Sequence, residues 1–133
     1  MIGVDTNVLV RTLVDDPQDP KQCAAARSLV ARAGQVRVSG IVFIETLWLL
    51  QRSYRAARGE VARIAGDLLG HPRYEIENAH QLRNALVIYR SSNVDFADAV
   101  ALADVRERGL TLHTFDRRLA KLDSAALVHR VPD

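Results

Sequence analysis

From Asp95 to Val131 the chain reads helix, strand, helix, strand, and this alternation restricts the fold more than any other feature of the sequence. Asp95 to Arg108 has helical apolar spacing and stops at Gly109; Leu110 to Thr114 has the make-up of a short strand. Arg117 to Leu122 predicts a short helix, and Leu127 to Val131 a final strand. The same rhythm runs through the first two thirds. Ile2 to Val4 is a short apolar run ending at Asp5, and Val8, Leu9 and Leu13 then follow at helical spacing. The turn residues Asp15 to Pro20 lead into an Ala-rich helix closed by Gly34. Val36 to Val38 predicts a strand, and Ser39 or Gly40 opens a helix running to about Tyr54. Val61, Ile64, Leu68 and Leu69 mark a further helix ending at Gly70, Tyr74 to Glu77 alternates like a strand, and Leu82, Leu86 and Tyr89 mark another helix. Strands alternating with helices predict an α/β fold with a mainly parallel sheet and helices on both faces. A length of 133 residues fits one domain, 1–133. In such sheets functional groups gather beyond the carboxyl ends of the strands, so the acids near those ends carry the functional question.

Asp5 follows directly on the first strand, where it reads equally as a helix N-cap. Asn7 is placed to orient it. Glu45 has Ile41, Val42, Trp48 and Leu49 as its helical neighbours, which predicts an acid with no solvated face. An ionised carboxylate in such a place must be paired, protonated or bound to a cation. Asp98 lines up with Val94, Leu102 and Val105 on the expected inward stripe of its helix, whereas Asp104 points away and is spaced to pair with Arg108. Asp95 shares Asp98's side but reads first as the cap of that helix. Asp116 follows the strand Leu112 to Thr114 and reads either as a site acid or as the cap of the next helix; Thr114 is the neighbouring hydroxyl.

Asp5, Glu45, Asp98 and Asp116 come from four separate segments and are expected to converge on one crevice. Two like charges about 4 Å apart repel by about 4 kcal/mol at an effective dielectric near 20, so four such acids require a cation. Oxygen-only ligation selects Mg²⁺ or Mn²⁺. His71, His80, His113 and His129 have no paired metal spacing, and the single Cys23 cannot build a zinc site. Asp5, Asp98 and Asp116 are the expected metal ligands, with Glu45 completing the shell or placing a water. Phosphodiester hydrolysis is the chemistry that such equipment fits.

The one cysteine also excludes an internal disulfide and predicts a reducing compartment. The opening Met-Ile-Gly-Val-Asp does not resemble a secretory leader, and the most apolar run, Ile41 to Leu50, is too short to cross a bilayer, so a cytoplasmic protein is expected. A net charge of +2 does not itself argue for nucleic acid, but sixteen of the eighteen basic residues are Arg, whose planar fork suits phosphate. Genomic base composition explains that bias equally well.

Four stretches in this order resemble the PIN-domain family, specifically the VapC-type toxins of toxin–antitoxin pairs. They are Val4 to Val10 (VDTNVLV), Ile44 to Leu50 (IETLWLL), Asp95 to Ala103 (DFADAVALA) and Leu112 to Leu119 (LHTFDRRL). The resemblance implies a three-layer α/β/α sandwich around a central parallel sheet, and Mg²⁺- or Mn²⁺-dependent endoribonuclease activity on RNA. It also implies a homodimer and an antitoxin protein whose C-terminal segment covers the site; the first helices are one place for the receiving groove. The family's acids fall on Asp5, Glu45, Asp98 and Asp116, and its small polar helpers on Asn7 and Thr114. The alternatives are a non-catalytic RNA- or protein-binding module with the same fold, and a metal-dependent DNA nuclease. Haloacid-dehalogenase-like enzymes need an Asp where Asn7 stands, and receiver domains need a late-strand lysine that neither Lys21 nor Lys121 supplies.

Overall fold

The computed structural model describes residues 1–133, and packing divides them into two compact units, Met1–Ala79 and His80–Asp133. In the first unit β1 (Ile2–Gly3), β2 (Val36–Val38) and β3 (Tyr74–Ile76) form a parallel sheet in that order. Ile2 pairs with Val36, Val36 with Tyr74, and Val38 with Ile76. Parallel neighbours need long crossovers, and helices supply them. Helices α1 (Thr6–Leu13) and α2 (Pro20–Ala33) join β1 to β2, and α3 (Gly40–Arg52) and α4 (Arg58–Gly70) join β2 to β3.

Local chemistry fixes the helix ends. Asp5, Asp19 and Ser39 each accept a backbone N–H of the helix they precede, and Pro20 stands in the first turn of α2. Gly34 closes α2 with φ +77°, a conformation that a Cβ disfavours, as the sequence predicts. Leu9, Val36, Val38, Phe43, Leu47, Leu50 and Val61 are almost wholly buried. Truncating Leu47 to Ala costs about 2–5 kcal/mol in a site of this kind.

The second unit contains α5 (Ala79–Arg90, which begins at the boundary residue), α6 (Phe96–Glu107), β4 (Leu112–Thr114), α7 (Arg117–Ala120) and β5 (Ala125–Leu127). Strands β4 and β5 are again parallel, with Leu112 opposite Ala125 and Thr114 opposite Leu127. The parallel pairing expected from the sequence therefore holds throughout, but in two hydrogen-bonded sheets. The last strand begins two residues before its expected start. Ser124 adopts φ +69° and turns the chain into β5, and the Val128 N–H donates to the Thr114 carbonyl at 2.7 Å. Beyond that bond the apolar Val131, which suggested a longer strand, is 87% exposed. Buried residues of this unit include Leu82, Tyr89, Phe96, Ala99, Leu102 and Leu119, with Tyr89 and Phe96 edge to face at 5.6 Å. The Arg106 guanidinium donates to the Asp123 carbonyl at 2.8 and 3.1 Å, tying α6 to the turn before β5.

No helix is long and apolar enough to cross a membrane.

Candidate active site

The first unit contains two of the expected acids, Asp5 and Glu45. Asp5 stands just past β1 and is exposed; its Oδ1 accepts the Val8 N–H at 3.0 Å, which makes it the N-cap of α1. A cap occupies one carboxylate oxygen, so the capping and functional readings of Asp5 are compatible. The next residue, Thr6, donates its hydroxyl to Glu45 Oε2 at 3.2 Å. This contact links the start of α1 to the middle of α3. Asn7 is exposed and shares with Asp5, Val8 and Arg11 one wall of a hollow of about 300 Å³; Gln22, Ala25, Ala26 and Leu29 of α2 form the other.

The surroundings of Glu45 differ from the sequence expectation. Glu45 is exposed, and Ile41 and Trp48 beside it are 70% and 56% exposed. The buried face of α3 consists of Phe43, Thr46, Leu47 and Leu50, with the Thr46 hydroxyl donating to the Val42 carbonyl at 2.7 Å. Apolar residues thus lie on both faces of α3, and the outward ones do not desolvate Glu45. The Arg52 guanidinium lies over the Trp48 ring at 5.7 Å. Glu45's hydrogen-bond partner is Thr6, not an arginine.

The second unit gathers three acids. Asp98, in the first turn of α6, is half-buried. The buried stripe of this helix runs through Phe96, Ala99, Leu102 and Ala103, so Asp98 lies at its edge instead of on it. Withdrawal from water, then the charges of Asp95 and Asp116, hold the Asp98 carboxyl above the usual carboxylate range. Asp95 occupies the N-cap position of α6, yet its side chain makes no cap hydrogen bond. The expected cap position of Asp95 is therefore present without the side-chain bond, and its charge acts on Asp98. Nothing in the sequence distinguishes this Asp from an ordinary cap.

Asp116 does cap. Its Oδ1 accepts the N–H groups of Arg118 and Leu119 at 2.8 and 3.1 Å, while its own N–H donates to Thr114 Oγ1 at 2.9 Å. Thr114 therefore fixes the turn that presents the Asp116 carboxylate. Asp104 accepts from Gln81 Nε2 at 3.1 Å and from Arg108 Nε at 3.4 Å, the ion pair its spacing predicts.

The available donors are carboxylate and hydroxyl oxygens, the set that a hard cation takes. Within neither unit do three or more His, Cys, Asp or Glu side chains stand at metal-binding geometry. A positive charge beside Asp98 would offset the charges of Asp95 and Asp116 that raise its carboxyl.

A sequence model described as the PIN domain matches residues 2–125, from β1 to the first residue of β5. No curated protein is matched by the chain.

Proposed function

This chain belongs to the PIN-domain family, and on that premise we propose that it is a metal-dependent endoribonuclease, a hydrolase acting on RNA phosphodiesters as the toxin of a type II toxin–antitoxin pair. The observation that carries the reading is the half-buried Asp98 carboxyl, held above the usual carboxylate range by withdrawal from water and by the charges of its neighbours Asp95 and Asp116. Carboxylates set against one another in this way suit a site that works with a divalent cation.

Asp5, Asp98 and Asp116 are the residues to hold Mg²⁺ or Mn²⁺, and Asp95 is the neighbour of Asp98. When bound, such a cation supplies positive charge against the phosphoryl oxygens and lowers the pKa of water. The protein's own part is placement. The Thr114 hydroxyl and the first N–H groups of α7 fix the Asp116 carboxylate in one orientation. The Val8 N–H does the same for Asp5, and the Thr6 hydroxyl for Glu45. Glu45 then completes the shell or positions the attacking water, and Asn7 orients the Asp5 side of the site.

The antitoxin segment lies in the hollow between α1 and α2, where Val8, Ala25, Ala26 and Leu29 offer apolar surface next to Asp5. A second copy of the chain covers Ile41 and Trp48, large apolar side chains that a monomer leaves in water.

The test is cleavage of a labelled RNA pool by the purified chain with Mg²⁺, with Mn²⁺ and with chelator, beside Asp98→Asn and a matched single-stranded DNA pool. Metal-dependent cutting of RNA that disappears in Asp98→Asn is expected. Cutting that persists in chelator or in Asp98→Asn overturns the mechanism, cutting of DNA alone overturns the substrate, and binding without cutting indicates a non-catalytic module.

A further inference from the structure

A hollow of about 540 Å³ in the second unit lies between the end of α5 and α7, lined by Arg90, Ser91, Ser92, Asn93, Arg118, Lys121 and Leu122. Three of these residues are cations and none is an acid. Four arginines of the chain are tied to carboxylates: Arg27 to Asp15, Arg37 to Glu75, Arg63 to Glu60 and Asp67, and Arg108 to Asp104. Arg118 and Lys121 take part in no such pair. Asp116, two residues before Arg118, directs its carboxylate into the first N–H groups of α7.

The end of α5 would ordinarily disfavour an anion, because its last carbonyls carry partial negative charge. Two serines cover them. Ser91 Oγ donates to the carbonyls of Val87 and Ile88 at 2.9 and 3.3 Å, and Ser92 Oγ donates to Ile88 at 2.6 Å. With the Val87 and Ile88 carbonyls covered, Arg118 and Lys121 bring positive charge to the hollow. A concave, basic surface with no acid in its lining fits the phosphates of a polynucleotide backbone.

We propose that this hollow binds backbone phosphates of the single-stranded RNA, beyond the phosphodiester that is cut. Arg118 stands two residues from Asp116 on the same turn, so a strand engaged by Arg118 and Lys121 is held in register with that acid. The contacts are to phosphate, so they add affinity without base preference. This inference rests on the ribonuclease reading above, and the experiment separates the two.

Binding of labelled RNA oligonucleotides of two unrelated sequences, and of the same sequences as DNA, is measured by anisotropy against salt concentration in an Asp98→Asn background. Arg118→Ala with Lys121→Ala is expected to weaken binding of both RNAs alike, by about tenfold or more. The slope of log affinity against log salt should fall by about 1.4, the value for two phosphate contacts on a single strand. Arg118→Lys with Lys121→Arg keeps both charges and should keep the slope, which a merely structural role would not predict. Lys21→Ala with Arg32→Ala removes two charges from α2 and serves as the control. Unchanged binding in the Ala pair, or an equal loss in the control pair, overturns the hollow while leaving the nuclease reading intact. A wild-type chain that neither binds nor cuts RNA overturns both, and equal binding of DNA shows that the hollow reads phosphate without regard to the sugar.

Discussion

Asp98 shares its surroundings with Asp116: withdrawal from water, then the charge of Asp95, then that of Asp116, hold the Asp98 carboxyl above the usual range. The folded chain therefore binds this proton more tightly than the unfolded chain does. Stability falls as pH rises from the ordinary carboxylate value through the elevated one, and the penalty is complete above it. Without divalent ions, Asp98→Asn is expected to melt above the wild type near pH 7, and the gap should close as the pH drops below about 3.9. Thermal scans across that range check it, and a wild type that melts as high as the variant at neutral pH refutes it.

Added Mg²⁺ or Mn²⁺ should reverse that order. A ligand held only by the folded chain stabilises it by about 1.4 kcal/mol at ten times its dissociation constant, a rise of a few degrees in melting temperature for a chain of this size. The rise is expected in the wild type and should be much smaller in Asp98→Asn. Equal shifts in both proteins would place the cation elsewhere.

Asp116 combines a structural role with the proposed chemical one, and two substitutions separate them. Asn retains an oxygen for the N–H groups of Arg118 and Leu119, whereas Ala removes the cap. Asp116→Asn should melt close to the wild type yet lose cleavage, while Asp116→Ala should lose cleavage and about 0.5–2 kcal/mol of stability. Retained cleavage in Asp116→Asn would leave this residue as a cap alone.

Those acids were visible in the sequence because strands and helices announce their own ends. Asp5 and Asp116 each follow a short apolar run, and the residues that stop the helices, such as Gly34, stand where the turns occur. Strand β2 has the bounds that its alternation predicts. Three features were not legible. Glu45 is exposed because α3 is apolar on both faces, and helical spacing does not say which apolar face turns outward. The absence of a cap hydrogen bond from Asp95 depends on a side-chain orientation that composition does not encode. The basic hollow draws Arg90 and Lys121 from separate segments and depends on how α5 and α7 pack, which no local pattern reports.

The hydrogen bond from Thr6 to Glu45 gives a sharper test of the site than either acid alone. It joins the half-buried Thr6 to the exposed Glu45, so its loss should cost little stability, within about 1 kcal/mol. If Glu45 positions a water, however, a Glu45 carboxylate released from Thr6 is less often in the working orientation, and the turnover rate falls. Thr6→Val is therefore expected to lower kcat roughly tenfold with KM almost unchanged, and Thr6→Ser, which keeps the hydroxyl, to retain most of the activity. Asp104→Asn is the companion control. Asp104 pairs with Gln81 and Arg108 and faces away from the proposed chemistry, so cleavage by this variant should stay near the wild-type rate. Steady-state kinetics on one RNA substrate measures all three variants. Full activity in Thr6→Val would show that the role given to Glu45 is wrongly drawn, and a large loss in Asp104→Asn would show the same of the facing assigned to α6.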